Sequence, residues 1–277
     1  MPRRSELPLR HAVVLGLLHG PAELLPISSS GHVTLVPWLL RWPYATLDAE
    51  LRKSFEVALH AGTAAALVIG LRAEVGDAVR GFDRRRIALI VLSFLPPAAC
   101  ATVLERPIER RLGTPPTIAA GLLAGSAAML LADGAPRERR REEAAALDAL
   151  CLGVAQACAL VPGVSRNGAT LVAARLRGFG REDANALSRH VALPIIAGAT
   201  GLKSVRLARR GLPAGTAGAF AAGIAAAFAS TLASTWIIRQ VERDRSLKPY
   251  AAYRCGLAMV VLVRCVQVRG ARENHSR

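Results

Sequence analysis

The chain has 277 residues, is 52% hydrophobic with a mean hydropathy of +0.32, and carries a net charge of +16. Its runs are apolar around most of the helix circumference. A soluble protein of this size would break them with polar faces, so that class is excluded. The charge does not indicate nucleic-acid binding, because the arginines lie in short segments between the apolar runs, at 84–86, 137–141, 206–210 and 239–248. Arginines in such places anchor helix orientation and meet anionic lipid.

Residues 1–10 form a basic tail without a clean apolar core or small-residue cleavage site, so no cleavable signal is expected. Two apolar stretches, 11–18 and 33–40, are each too short to span a bilayer. Gly20-Pro21 and Pro26 are expected to break the helix between them. Two short helices joined by a Ser-rich turn make a re-entrant hairpin, tolerated at membrane depth only where protein or water satisfies the backbone. Candidate spans follow at 55–71, 87–104 and 117–132. A charged Pro/Gly segment, 133–146, separates them from a second broken-helix segment, 147–176, interrupted around Pro162-Gly163 and Gly168. Three more candidate spans lie at 191–202, 212–238 and 250–263, and residues 269–277 read as a polar tail. Several runs approach the roughly 20 residues a bilayer crossing needs, and some fall short. Cys100, Cys151, Cys158, Cys255 and Cys265 lie in or beside apolar runs. Their odd number and lack of C-x-x-C pairs argue against disulfides or zinc and for small packing residues.

The fold class is therefore all-α integral membrane, in a single domain over 1–277. Each half holds one re-entrant hairpin and about three transmembrane helices, with repeat 1 at about 11–132, a basic loop at 133–146 and repeat 2 at about 147–268. An odd number of crossings per half inverts the second copy. Lys and Arg then balance on the two sides, so the positive-inside rule does not orient the chain.

The two hairpins carry matched polar strings. Laid Gly16 on Gly153, His19 falls on Gln156, Ser28 on Ser165, Ser29 on Arg166 and Gly31 on Gly168, with only the proline one place out. Matched, broken segments of this kind build one site from two halves near a repeat interface. Glu23 is the most telling residue. A charge at membrane depth costs about 2.5–3.5 kcal/mol on insertion scales, so it faces a cavity or a partner. His19 shares its helical face if the turn continues through Gly20-Pro21. Ser28, Ser29, Ser30 and the helix start after them suit a phosphate. One of these serines can act as nucleophile, with His32 as the nearest sequence candidate for its base. Arg166, flanked by Ser165, Asn167 and Thr170, is a fork-shaped anion receptor. The set reads as acid–base groups, a hydroxyl and a guanidinium around a phosphate, with Glu23 also able to hold a divalent cation. A lipid diphosphate whose tail stays in the bilayer suits such a site. Glu56 and His60 form a second i, i+4 pair that either supports this site or joins two helices.

At these residues the chain resembles the bacterial undecaprenyl-pyrophosphate phosphatase family of the bacitracin-resistance type. That family's first signature is Glu/Gln, three residues, Glu, then Leu/Phe-Leu-Pro-x-Ser-Ser-x-Gly-His. Here Glu23, Leu25, Pro26, Ser28, Ser29, Gly31 and His32 match it. The second, Pro-Gly-x-Ser-Arg-Ser-Gly-x-Thr, is matched by Pro162, Gly163, Ser165, Arg166, Gly168 and Thr170. Gln156 and Phe55-Glu56-Val57 also look familial, and the helix plan is similar over nearly the whole chain.

The resemblance implies hydrolysis of undecaprenyl pyrophosphate to the monophosphate and inorganic phosphate. This recycles the carrier lipid of peptidoglycan synthesis and raises resistance to bacitracin. It implies a multi-pass protein of the bacterial inner or plasma membrane, with a polyprenyl diphosphate and the lipid bilayer as partners and no nucleic acid. A homodimer is left open. It also implies dependence on a divalent cation, Mg²⁺ or Ca²⁺. Carried over by position, Glu23 is the catalytic or metal-binding carboxylate, Ser29 the nucleophile, His32 the acid–base partner and Arg166 the phosphate clamp. Ser28, Ser30, Ser165, Asn167 and Thr170 are supporting phosphate contacts, and His19 is a second candidate metal ligand. Two positions depart from the pattern: His19 stands for the first Glu/Gln, and Asn167 for the Ser after the arginine. The rival reading is a transporter or flippase of a polyprenyl (pyro)phosphate, which needs the binding groups but no nucleophile.

Overall fold

The computed structural model describes residues 7–73, 76, 80, 83–135, 138–212, 215–243 and 246–275. Among the described residues it is helical throughout: α1 Leu9–Leu24, α2 Ser29–Leu39, α3 Ala49–Gly70, α4 Arg84–Leu112, α5 Pro115–Asp133, α6 Ala146–Cys158, α7 Arg166–Leu176, α8 Arg181–Arg210, α9 Ala217–Ala233, α10 Trp236–Arg243 and α11 Lys248–His275. The segments 84–104, 115–133 and 248–270 are long and apolar enough to cross a membrane. Helices α6 and α9 are apolar but shorter. The expected spans 55–71 and 191–202 lie inside the longer α3 and α8. The expected span 212–238 divides at Ser234-Thr235 into α9 and α10. The anticipated tail at 269–277 continues α11 as far as His275.

Packing follows the small residues. Helix α1 lies along α9, which also packs on α3, while α6 lies along α4 and α5 along α11. At Gly16 a Cβ would sit 2.5 Å from the Gly223 carbonyl, and at Gly20 one would sit 2.5 Å from the Thr231 amide. Only small residues let two backbones approach so closely in lipid, where dispersion contacts replace water exclusion as the driving force. Gly153, the register mate of Gly16, does the same for α6: a Cβ there would meet the Ser93 carbonyl and the Pro96 ring at 2.9 Å. Each hairpin thus opens with a helix pressed against an apolar helix from the other part of the chain. Phe55, Leu59, Phe220 and Leu15 fill the first cluster; Leu152, Leu171, Phe179 and Leu247 fill another. Apolar side chains remain on the outside, with Leu131, Val103 and Val266 at 75%, 72% and 71% exposure. A lipid-facing surface has this character.

Two expected breaks are corrected. Gly20-Pro21 does not break the first helix; α1 runs through it, and the chain leaves the helix at Leu25. Pro21 removes a single internal donor. Ser230 of α9 donates to the Gly16 carbonyl at 3.1 Å in the same turn, supplying a polar partner from the neighbouring helix. Gly168 is likewise not a break but lies in the first turn of α7.

The segment between the halves is tied down by protein contacts. Arg139 grips Asp148 through both guanidinium nitrogens, at 3.0 and 2.8 Å, and Arg177 adds a third bond at 2.6 Å. Asp148 raises the Arg139 pKa above its ordinary value, so this charge is fixed. Arg181 pairs with Asp133 at 2.7 Å. Arg139 therefore serves as an internal clasp; Arg137 lies outside the described residues.

Candidate active site

The matched register of the two strings is a shared backbone device. Ser28 precedes α2 with φ 77°, and Ser165 precedes α7 with φ 72°. Each hydroxyl caps its helix, accepting from the Gly31 amide at 3.3 Å and the Gly168 amide at 3.2 Å. Positive φ in a non-glycine residue costs on the order of 1–3 kcal/mol and persists where its surroundings hold it. The consequence is positional: Ser29 and Arg166 each become the first residue of a helix. Both helix starts have orphan backbone N–H groups, a ready anion site.

Glu23, in the last turn of α1, joins them. Arg166 Nη2 donates to Glu23 Oε1 at 2.5 Å, and Ser29 Oγ donates to Glu23 Oε2 at 2.5 Å. The carboxylate is 8% exposed and holds the hydroxyl from one hairpin and the guanidinium from the other. Asn167 links the hairpins again, donating from Nδ2 to the Leu24 carbonyl at 2.9 Å. These groups border a cavity of about 410 Å³. Glu23, Ser28, Ser29, Ser30, Ser165, Arg166 and Asn167 all line it. The structure thus brings seven of the sequence-selected residues to one space.

Two selected residues lie elsewhere. His32 is buried, with Nδ1 2.7 Å from the Ser28 carbonyl and Nε2 2.7 Å from the Tyr253 hydroxyl. A carbonyl only accepts, so Nδ1 carries the proton and Nε2 accepts from Tyr253. Both nitrogens are engaged, and His32 bonds the residue before Ser29 rather than Ser29 itself. The carboxylate in contact with Ser29 is Glu23. Thr170 is buried and bonds Ser188 at 2.6 Å, tying α7 to α8 away from the cavity wall.

Because α1 continues through Pro21, His19 and Glu23 do share a face. His19 is fully buried, its Nδ1 2.9 Å from Thr63 Oγ1, and its Nε2 has no hydrogen-bond partner among the described residues. His60 Nδ1 bonds the Glu56 carbonyl at 2.8 Å, and its Nε2 lies 3.8 Å from Glu23 Oε2. His60 thus belongs to the site, while the Glu56 carboxylate pairs with Lys53 at 3.7 Å. One donor atom each from His19, Glu23 and His60 lies within 4.8 Å of the others. An unpartnered buried nitrogen beside a carboxylate and a second imidazole fits a divalent cation. Gln156, the register mate of His19, instead donates to the Ser93 carbonyl at 3.2 Å.

Sequence reasoning missed Arg52 and Lys53, which line the cavity from α3. It also missed Arg254. That side chain is completely buried and donates to carbonyls of both turns that precede the serine-capped helices: Pro26 in the first, Gly163 and Val164 in the second, each at 3.0 Å. The signal was present, since an arginine inside an apolar span is a functional hypothesis by default.

Comparison with known proteins agrees with the motifs. The model of the family described as bacitracin resistance protein BacA matches residues 12–260. The chain is 40% identical over 259 residues to an undecaprenyl-diphosphatase of Geobacter sulfurreducens, covering 89% of this chain and 94% of that protein. It is 38% identical over 260 residues to that of Pelobacter propionicus, covering 89% and 93%. With that of Moorella thermoacetica it is 34% identical over 259 residues, covering 91% and 95%.

Proposed function

Because the chain belongs to the bacitracin resistance protein BacA family, we propose that it removes the terminal phosphate of undecaprenyl pyrophosphate, giving undecaprenyl phosphate and inorganic phosphate. The observation that carries this reading is the single buried carboxylate shared by Ser29 and Arg166 at the cavity wall. A carrier needs cations for the phosphate; it does not need a hydroxyl aligned on a base.

In this mechanism Glu23 takes the Ser29 proton as Ser29 Oγ forms a bond to the terminal phosphorus. The bond from that phosphorus to the bridging oxygen breaks, and undecaprenyl phosphate leaves. Water then opens the phosphoserine, returning the hydroxyl and releasing phosphate. Arg166 stays on the equatorial oxygens, where negative charge accumulates, and the N-termini of α2 and α7 add fixed dipoles. Positioning accounts for much of the acceleration in phosphoryl transfer, and here it comes from two rigid helix starts. A divalent cation held by Glu23, with His19 and His60, would supply charge neutralisation to the diphosphate.

We read the two hairpins as the cores of inverted repeats over about 11–132 and 147–268. The paired serine caps and the exchange of α1 onto α9 and α6 onto α4 support this. The apolar outer surface supports a multi-pass place in the bacterial cell membrane, where the tail of the substrate can stay in lipid. Returning the carrier to the monophosphate would also deprive bacitracin of its diphosphate ligand, hence resistance.

The test is phosphate release from undecaprenyl or farnesyl diphosphate by purified protein. Ser29→Ala should stop release yet bind a non-hydrolysable prenyl diphosphate within roughly tenfold of wild type, because a nucleophile acts mainly in the transition state. Wild-type binding without release, under several divalent metals, would establish the carrier reading instead.

A further inference from the structure

The two imidazoles beside Glu23 are oriented, and their orientation has a chemical meaning. Thr231 Oγ1 lies 2.6 Å from the Ala227 carbonyl and 3.2 Å from Thr63 Oγ1. The Thr231 hydroxyl is the donor in both contacts, and Thr63 Oγ1 is an acceptor from it. Thr63 Oγ1 also bonds His19 Nδ1 at 2.9 Å, which turns His19 Nε2 toward Glu23 and His60. For His60, the Glu56 carbonyl at 2.8 Å only accepts, which fixes the proton on Nδ1. Both rings direct Nε2 toward the Glu23 carboxylate, His19 Nε2 has no hydrogen-bond partner among the described residues, and the rings stand edge to face with centroids 4.5 Å apart. Two imidazole nitrogens and a carboxylate oxygen within 4.8 Å of one another are a donor set that a cation between them would join.

We propose that His19, Glu23 and His60 bind one imidazole-preferring divalent ion of the zinc class, rather than Mg²⁺ or Ca²⁺. Magnesium and calcium take oxygen donors, six or more in the case of calcium, whereas two imidazoles and one carboxylate are the donor set of zinc and its neighbours. Metal-ligating histidines also carry their second N–H on a hydroxyl, carbonyl or carboxylate, as Thr63 and the Glu56 carbonyl provide here. A tetrahedral ion with bonds of about 2.0–2.2 Å holds its donors roughly 3.3–3.6 Å apart. His60 Nε2 and Glu23 Oε2 are already 3.8 Å apart, so closure asks little movement. Three protein donors leave a fourth position for water or a phosphate oxygen, the pattern of a catalytic rather than a structural site. The second half holds no such set, because Gln156 replaces the imidazole.

The measurement is metal binding by purified, metal-stripped full-length protein without substrate, so it stands or falls separately from the phosphatase reading. Co²⁺ serves as the probe through its visible ligand-field bands. Wild type should bind one ion per chain, displaced by equimolar Zn²⁺ and not by a large excess of Ca²⁺ or Mg²⁺. His60→Gln should abolish the bands. Thr63→Val, which keeps the shape and removes only the hydroxyl bonded to His19 Nδ1, should weaken Co²⁺ about 10–100-fold. His19→Glu should lose preference for Co²⁺ and gain Ca²⁺. Circular dichroism and elution as a single species identify the folded variants, and Thr63→Val keeps the test alive if a histidine variant fails to fold. The proposal is overturned if Ca²⁺ displaces Co²⁺ as readily as Zn²⁺ does, or if His60→Gln and Thr63→Val both leave Co²⁺ binding unchanged.

Discussion

Replacing Arg254 by leucine should loosen together the two turns that precede α2 and α7. Its guanidinium is fully buried, and every hydrogen bond found for it ends on a backbone carbonyl. Three of these, to Pro26, Gly163 and Val164, are 3.0 Å long and reach chain that is not helical. Those carbonyls have no helical partner, so truncation leaves them bare in a water-poor interior. An orphaned buried acceptor costs about 1–3 kcal/mol. Three would cost about 3–9 kcal/mol without relaxation. Partial collapse brings the expectation to about 3–5 kcal/mol, the range found when one member of a buried charged pair is removed. Activity should suffer as well, because Pro26 stands two residues before Ser28, and Val164 directly before Ser165. A misplacement of about 1 Å at such a site can cost about 10²-fold in rate. The assay is thermal unfolding in detergent beside phosphate release. Arg254→Leu should melt earlier and lose kcat with little change in KM. Arg254→Lys keeps the charge and can satisfy some of the carbonyls, so it should recover part of both. A wild-type melting curve and wild-type kcat in Arg254→Leu would refute this account of the residue.

Arg166→Ala should lower kcat by about 10²–10³ while the protein remains folded, since one charge-stabilising donor is lost; retention of a third of wild-type kcat would place the phosphate clamp elsewhere. Glu23→Gln should remove most phosphate release, because an amide accepts the Ser29 hydrogen bond but cannot take its proton. Excess Mg²⁺ or Ca²⁺ should not restore it, and rescue by either ion would reduce Glu23 to a metal ligand.

The helical membrane plan was legible because apolar runs and their basic flanks are local signals. The two hairpins were legible because their strings repeat. What the sequence concealed is tertiary. Pro21 reads as a breaker, yet α1 continues because α9 packs on its glycines and supplies a hydroxyl beside the strained turn. His32 reads as the base for Ser29 because it is three residues away, yet α2 turns it toward the Ser28 carbonyl and Tyr253, a residue 221 positions distant. His60 was ambiguous from its own helix, since the group that defines it, Glu23, comes from α1. The expected ends of α3 and α8 also moved, because charged turns extend helices past the apolar run that hydropathy detects, whereas the run 212–238 divides at Ser234-Thr235.

The two hairpins share a cap and differ in the residue that follows it, and that difference gives one site with two kinds of group. The serine caps, with nearly equal positive φ, give both chains the same exit from the turn into the helix. Whatever residue follows the cap emerges at an equivalent point. Had both copies kept serine there, the site would hold two hydroxyls and no cation for the phosphate. Had both kept arginine, two guanidinium groups would face each other over one carboxylate with nothing to attack. Ser29 in one half and Arg166 in the other avoid both outcomes, and Glu23 serves both because one oxygen goes to each. His19 against Gln156 follows the same logic: a second imidazole set in the other half would place a second cation against Arg166. The shared cap sets position, and the side chain that follows it sets what each hairpin brings to Glu23.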